Sequence, residues 1–593
     1  MKKRNLLIAC LTVGLSACDR LPDYRPVDEV YWPKQNWTED QRQRFYHTAQ
    51  GTQLMPYRWF MALEQPRISL FGAPLFREDD YIARFGFLPD PNRKHNPDAL
   101  PVGFAVDSDF VDPNTGRASP VVGITCAGCH TGQVEYEKDG TRYGIRIEGG
   151  PANADLDKFS GTLGFAVAMT YYDPLRFRRF ARAVLGENYS SEAKAALSKE
   201  MKSFMFTPGS LAAAGLLTDY DDPNTSAGFG RLAALERIGN VVFVNLGKKN
   251  LAVANAPANF PFLWDASWFD WIQYNGSINQ PMARNVGEAL GVYSPVNLTD
   301  PAPPKVLFQS TVKVNNLYEL EQLLGGPASF EDPSVPYQGL TSPPWPEKLL
   351  GKIDPQKAAK GAELYHALCE SCHLPPRDSA EIHAPQYWSQ PNSYGKRFLK
   401  VTLVNVQDIG TDPTEAINFA QRVVKKNETA NLGAAYSKDG KGVVMAGRAL
   451  QVLIENITEL WYDQHNVSKA DRNRMNGFRD SIVRAPLAYK ARPLNGIWAT
   501  APFLHNGSVP NLYQLLAPIE QRDQTFYTGN KAFDPVQVGF QTDSFPGGFE
   551  LRTDKTGNSN KGHEFTDKKR TGVIGPLLTE EQRWQLIEYL KTL

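Results

Sequence analysis

The sequence predicts a mainly α-helical, loop-rich fold of two domains with little β structure. Its length of 593 residues is more than one core usually fills. Glycine and proline number 47 and 43, so much of the chain is expected in turns and loops. The clearest helical patterns with start signals stand at residues 354–368 and 579–593.

The N-terminus predicts export. Lys2, Lys3 and Arg4 precede the apolar run LLIACLTVGL, which is too short to cross a bilayer and is typical of a secretory signal. The run ends in Leu-Ser-Ala-Cys at residues 15–18, which resembles the lipobox of bacterial lipoproteins. We therefore expect a signal peptide at residues 1–17 and a lipid on Cys18 that holds the protein to a membrane in the periplasm. An ordinary cleaved signal is the alternative.

Composition divides the rest of the chain into three parts. Residues 18–110 are rich in proline, arginine, aromatic and acidic residues without periodicity, and they predict an extension packed on the first domain. The proline-rich stretch at residues 342–356 predicts a boundary, so the domains are expected at 111–341 and 342–593. Basic and acidic residues number 64 each, and this balance gives no reason to expect nucleic acid as a partner.

The cysteines are concentrated in a repeated motif. CAGCH occupies residues 126–130 and CESCH occupies residues 369–373. The chain has 6 cysteines; Cys10 would leave with the signal and Cys18 would carry lipid, so the four that remain all lie in the motifs. A lone Cys-x-x-Cys can be a disulfide, a redox dithiol or half a zinc site. The histidine that follows at once favours covalent attachment of a c-type haem instead.

Each residue of the motif then has a role. Thioether bonds from both cysteines would hold the porphyrin, and the adjacent imidazole would bind the iron from below. The sequence therefore predicts two covalently bound c-type haems, with iron ligands His130 and His373 and attachment residues Cys126, Cys129, Cys369 and Cys372.

Helices are predicted on both sides of the second motif. Asp354 can cap a helix with Pro355 at its first position, and this helix leads into CESCH. Thr579 and Gln582 form a capping-box pattern at the start of a terminal helix. Two such helices cross in cytochrome c domains. The first motif differs, because SPVVGITCAGCHTGQVEY has an extended pattern.

The second axial ligands separate electron transfer from catalysis, because an iron with an open face can bind dioxygen or peroxide. No histidine lies between His130 and His366, which favours an open first iron. The alternatives for this iron are a methionine or a histidine from outside the domain: Met169, Met282, His47 or His95. For the second iron the candidates are His383, His465, His505 and His563.

Longer stretches resemble a known family. ARPLNGIWATAPFLHNGSVPNLYQLL at 491–516, FDPVQVGF at 533–540 and GNSNKGHEF at 557–565 are similar to the di-haem rubber oxygenase-like c-type cytochromes. Part of the first stretch also resembles bacterial di-haem cytochrome c peroxidases. The resemblance implies that the haem of His130 binds oxygen on its other face. It also implies that His563 is the distal ligand of the second, low-spin haem.

The resemblance implies two further roles. His505 in LHNG would lie near the haem edge, and it is the second choice as ligand of the second iron. A tryptophan would lie between the haems, with Trp264, Trp268 and Trp271 as candidates; core packing is the better explanation for at least two of them.

The predicted function is that of a lipid-anchored di-haem oxidoreductase, dioxygenase- or peroxidase-like, in which the second haem transfers electrons. Dioxygen or peroxide is expected at the first haem, together with a periplasmic electron donor or acceptor. A tethered enzyme suits a small unsaturated lipid, an isoprenoid or hydrogen peroxide better than solid polyisoprene. The alternatives are a non-catalytic electron carrier and a redox or gas sensor.

Overall fold

The fold mixes helices with many small sheets. The computed structural model describes residues 21–207, 225–299, 306–425, 432 and 443–593. It contains 37% helix and 15% strand, so the prediction of a mainly α fold with little β structure is wrong. The residues on both sides of the first motif are extended, as their pattern predicts, and the error lies in the many further short strands that pair in both parts of the chain.

The helices of the first part, up to residue 341, number nine in the described ranges. In chain order they are α1 (Glu39–His47), α2 (Tyr57–Ala62), α3 (Asp79–Ile82), α4 (Leu156–Tyr172), α5 (Pro174–Leu185), α6 (Ser191–Met205), α7 (Ala234–Phe243), α8 (Pro281–Gly291) and α9 (Val314–Gly325).

The helices of the second part are shorter on average. They are α10 (Glu347–Leu350), α11 (Pro355–Leu368), α12 (Glu370–His373), α13 (Val406–Ile409), α14 (Thr414–Gln421), α15 (Ala446–Gln464), α16 (Lys469–Met475), α17 (Leu512–Leu515) and α18 (Glu580–Leu590).

The strands are short and scattered along the whole chain. They are β1 (Glu29–Tyr31), β2 (Met55–Pro56), β3 (Phe104–Asp107), β4 (Val121–Ile124), β5 (Thr131–Lys138), β6 (Thr141–Glu148), β7 (Arg231–Leu232), β8 (Ala258–Asn259), β9 (Thr402–Asn405), β10 (Val423–Lys425), β11 (Val443–Met445), β12 (Ala488–Ala491), β13 (Thr525–Thr528), β14 (Phe533–Asp534), β15 (Gly539–Phe540), β16 (Phe549–Arg552), β17 (Glu564–Phe565) and β18 (Val573–Gly575).

Two three-stranded sheets flank the first motif. One has the order β2-β4-β3, and the other has the order β1-β6-β5. The motif makes the connection from β4 to β5, with a 3₁₀ turn at Cys126–Gly128. Strand β1 runs parallel to β6, which attaches the N-terminal segment to the sheet that follows the motif.

The helices around the second motif form as predicted. Asp354 accepts hydrogen bonds from the backbone of residues 356 and 357 and caps α11. Thr579 and Gln582 make the capping box of α18. The two helices cross at Gly361, where a Cβ atom would lie 2.0 Å from the carbonyl oxygen of Gln585. This close approach therefore requires glycine.

The apolar core joins the two parts of the chain. Its largest cluster combines Trp37, Ile145 and Trp264 with Trp498 and Leu586, from both sides of the predicted boundary at residue 342. A second cluster packs α8 against α15, and a third packs α2 against α4 and α5. In the described ranges, no helix combines the length and apolar composition that crossing a membrane requires.

Candidate functional site

The first motif holds a neutral imidazole in a fixed orientation. His130 is buried, and its Nδ1 donates a hydrogen bond to the carbonyl oxygen of Pro261 at 2.8 Å. Burial lowers the pKa of His130 to about 4, so the ring carries one proton, and the carbonyl places that proton on Nδ1. The other ring nitrogen, Nε2, is therefore left with a lone pair for a metal ion.

The second motif uses the same arrangement. His373 donates from Nδ1 to the carbonyl oxygen of Arg492 at 2.8 Å, and burial lowers the pKa of His373. In both motifs the histidine amide bonds back to the carbonyl of the first cysteine at 2.9 Å. One local turn and one distant carbonyl thus orient each imidazole.

The four motif cysteines form no disulfide. Burial raises the pKa of Cys126, Cys129 and Cys369 to about 12 each. Each pair lies beside the histidine of its own motif, as covalent attachment of a c-type haem would require.

His563 lies opposite His373. The two ring centroids are 6.0 Å apart, and Nδ1 of His563 is buried without a hydrogen-bond partner. A metal bound by one nitrogen of each ring separates the centroids by about 6 Å, since each metal–nitrogen bond measures about 2 Å. Burial lowers the pKa of His563 to about 3, so this imidazole is also neutral. The pair is spaced to hold one iron between them.

The backbone of His563 is held from several sides. Its φ is 45°, its amide donates to the carbonyl of Ile409 at 3.0 Å, and its own carbonyl accepts from Arg522 at 2.8 Å. A left-handed conformation is uncommon for residues other than glycine. This conformation, fixed by Arg522, aims the imidazole at His373.

His505 has a different environment. Its ring stacks on Tyr489 with centroids 3.9 Å apart and lies 6.2 Å from the ring of Tyr274. Burial lowers the pKa of His505 to about 4. The structure brings this histidine together with two tyrosines, whereas it brings His563 together with His373.

The remaining histidines are engaged elsewhere. His47 bonds through both ring nitrogens, to the carbonyl of Phe104 and to Asp90. His95 contacts Asp40, and His366 contacts Glu370. His383 bonds to the carbonyl of Glu331, and the ring of His465 stacks on that of Trp461. Met282 lies in the apolar cluster of α8 and α15, and Met169 lies in α4.

Sequence reasoning missed two polar residues at the first motif, Gln50 and Glu288. Oε1 of Gln50 accepts a hydrogen bond from Sγ of Cys126 at 3.4 Å. The charge of Glu288 adds to the rise in pKa of both Cys126 and Cys129. Burial raises the pKa of Glu288, and its carboxylate accepts a hydrogen bond from Gln273 at 3.2 Å. The sequence of α8 does not single out Glu288, because its influence on the motif depends on how α8 packs.

The motif residues keep part of their surface accessible. Cys126, Cys129, Glu288, His373 and His563 are each half-buried, so a bound group can reach their side chains.

Nearby cations fit a group that carries carboxylates, as haem does. Arg492 is buried, and burial lowers its pKa to about 10. Burial likewise lowers the pKa of Lys490 well below its ordinary value. Within the described ranges neither side chain has a carboxylate at ion-pair distance. Buried charges usually have a partner, and the propionates of a haem would provide one.

The candidate tryptophans have separate environments. Trp264 stacks on Phe262 with centroids 4.4 Å apart and is fully buried. Trp268 donates from its indole to the carbonyl of Gly325, and Trp271 packs under the guanidinium of Arg484. Trp264 is therefore the one that adjoins the segment bonded to His130.

Comparison with known proteins places this chain in a family. It is 45% identical over 592 residues to the uncharacterized protein y4iJ of Sinorhizobium fredii (strain NBRC 101917 / NGR234), covering 97% of this chain and 95% of that protein. The chain belongs to the family of y4iJ. Another protein of the same strain, the uncharacterized protein y4iM, is 24% identical over 393 residues, which cover 62% of this chain and 71% of y4iM.

Residues 488–527 match a family described as RoxA-like, cytochrome c-like. The matched segment starts at β12, contains Arg492, His505 and α17, and thus supplies the carbonyl that orients His373. The match supports the RoxA-like family at a coarse level, and with it haem binding and electron transfer of the cytochrome c kind.

Proposed function

We propose that this member of the y4iJ family is an exported, lipid-anchored di-haem c-type cytochrome that acts as an oxidoreductase of the dioxygenase or peroxidase kind. One observation carries the proposal. Both motif histidines are oriented by a distant carbonyl, but a second imidazole stands opposite His373 alone among the histidines with described contacts. Two haems with unequal coordination would follow from this difference.

The residues around His130 support a site for small molecules. Haem, when bound there, supplies an iron that takes dioxygen or peroxide. The bond from Nδ1 to Pro261 raises the basicity of the imidazole and fixes its plane. Burial raises the pKa of Glu288, and a carboxyl of this kind would supply protons at the site when a haem is bound there. Gln273 orients this carboxyl.

The residues around His373 support electron transfer. His373 and His563 are both neutral, buried and fixed by backbone hydrogen bonds. Two fixed imidazoles would hold one iron in the same coordination in both oxidation states, which keeps the structural change on reduction small. Such a site stores or passes one electron.

The membrane anchor rests on the sequence, because Cys18 and the signal at residues 1–17 lie outside the described residues. We propose a periplasmic location, a lipid on Cys18 and an electron donor or acceptor that meets the protein there. A small unsaturated lipid, an isoprenoid or hydrogen peroxide is the proposed substrate class. Replacement of Cys18 by serine is expected to move the protein from the membrane fraction to the soluble fraction; retention in the membrane fraction would contradict the anchor.

The direct test is intact mass combined with carbon monoxide binding. The matured protein is expected to carry two added haem masses, and the reduced protein to bind one carbon monoxide per chain. If the reduced protein bound no carbon monoxide, it would be an electron carrier and not an oxygenase or peroxidase. The absence of both haem masses would contradict the whole proposal. Binding with no turnover of peroxide or any alkene would favour a sensor.

A further inference from the structure

A continuous route connects the two motif histidines. Nδ1 of His130 donates to the carbonyl of Pro261, and the next carbonyl along the chain, that of Phe262, accepts a hydrogen bond from Nη2 of Arg492 at 2.7 Å. The carbonyl of Arg492 in turn accepts from Nδ1 of His373. The two imidazoles are thus connected by three hydrogen bonds, the backbone of Phe262 and the side chain of Arg492.

The route is buried and tightly packed. The guanidinium of Arg492 lies 3.4 Å from the centroid of the Phe262 ring. Trp264 stacks on the same ring, with the two ring centroids 4.4 Å apart. A cation over an aromatic face is attracted more strongly where water is excluded. Phe262 therefore holds Arg492 both through its carbonyl and through its ring.

The charge of Arg492 faces the route. Its side chain is buried, no carboxylate of the described residues reaches it at ion-pair distance, and its one described side-chain hydrogen bond is the bond to the Phe262 carbonyl. Apart from a haem propionate, this carbonyl and the Phe262 ring are therefore the groups that hold the guanidinium in place.

We propose that Arg492 is a positioning residue that couples the two haem sites electronically, through the Phe262 carbonyl on one side and its own carbonyl on the other. The inference rests on the proposed presence of both haems. A change of charge at one iron alters the polarity of its imidazole N–H, and chains of hydrogen bonds polarise one another. The guanidinium would transmit this change to the partner imidazole and provide the electron path.

The test compares Arg492→Met, Arg492→Lys and Trp264→Phe. Methionine removes every donor but keeps an unbranched side chain, and lysine keeps a donor that can reach the Phe262 carbonyl. The phenylalanine variant leaves the route intact and changes the tryptophan that stacks beside it. Intact mass and thermal unfolding show which variants carry both haems and fold.

The readout is the redistribution of one electron between the haems after injection by a photoreductant, together with both midpoint potentials. Arg492→Met is expected to slow redistribution of the electron by about tenfold or more. In this variant the midpoint potential of each haem should also depend less on the oxidation state of the other. Arg492→Lys is expected to recover most of the rate, and Trp264→Phe to stay near the wild type.

A wild-type rate in Arg492→Met would overturn the inference, as would a larger loss in Trp264→Phe than in Arg492→Met. Injection by a photoreductant needs no ligand at the first iron. A first iron that binds no carbon monoxide would therefore contradict the proposed function and leave this inference open to its own test.

Discussion

The two Cys-x-x-Cys-His motifs share a skeleton but stand in different surroundings. The first connects two strands and has the carboxyl of Glu288 nearby, whereas the second follows helix α11 and faces the imidazole of His563. The two motif histidines are oriented alike, because in both a distant carbonyl accepts a hydrogen bond from Nδ1 at 2.8 Å. The two sites differ in the residues that face the other ring nitrogen.

This difference teaches where the chemistry is decided. In the proposed protein, a repeated motif would bind each haem and supply its first ligand, and residues more than a hundred positions away would determine what its other face can do. An imidazole opposite the ligand would close a metal site, whereas a carboxyl with a raised pKa near an open site would supply protons there. Each prediction below removes one part of this contrast.

The largest effect is expected from loss of one attachment site. Cys369→Ala combined with Cys372→Ala should lower the intact mass by one haem, and Cys126→Ala combined with Cys129→Ala should do the same for the other site. Each double variant would leave the spectrum of the remaining haem. If either variant kept both haem masses, that motif would not be an attachment site. Cys18→Ser is the matched control and should keep both.

The next largest effect is expected at His563, whose loss would make the second site resemble the first. His563→Gly, which suits the φ of 45° at this residue, should open the second iron and let it bind cyanide. Added imidazole should restore the low-spin spectrum, because it can occupy the space of the lost ring. His505→Gln is the control, since His505 stacks on Tyr489 instead of facing His373. A low-spin change in His505→Gln and none in His563→Gly would reverse the assignment.

Glu288 tests the chemistry of the first site. Glu288→Gln should lower turnover of peroxide by about 10²-fold, because the variant cannot hold a transferable proton. The absorption spectra of both haems should stay unchanged. The exposed Glu363 provides the control variant Glu363→Gln, with unchanged turnover expected. Equal turnover in both variants would remove Glu288 from the proposed mechanism.

The smallest effect concerns the helix crossing beside the second motif. Gly361→Ala should destabilise the protein by about 1–3 kcal/mol, because its Cβ would overlap the carbonyl of Gln585. Gly161→Ala in α4 meets nothing within 4 Å and should instead stabilise it by about 0.5–1 kcal/mol. Chemical denaturation measures both, and similar signs for the two variants would contradict the crossing geometry.

The sequence predicted the local structure of the second site well. Asp354 and the pair Thr579 and Gln582 cap their helices as expected, because capping depends on residues only a few positions apart. The motifs themselves are also local. These signals were sufficient to indicate haem and a cytochrome c-like second part.

Long-range pairing could not be predicted. Pro261 is 131 positions from His130, and Arg492 is 119 positions from His373. Glu288 reaches the first motif only through the packing of α8. The same limit explains the wrong fold class, because many strands have only two to four residues and pair across distant segments, such as β1 with β6 and β12 with β9.

Unequal coordination of two haem irons is the central claim, and electron paramagnetic resonance of the ferric protein with and without cyanide tests it most directly. The account predicts one high-spin signal that cyanide converts to low spin, beside one low-spin signal that cyanide leaves unchanged. Two low-spin signals that both ignore cyanide would contradict it.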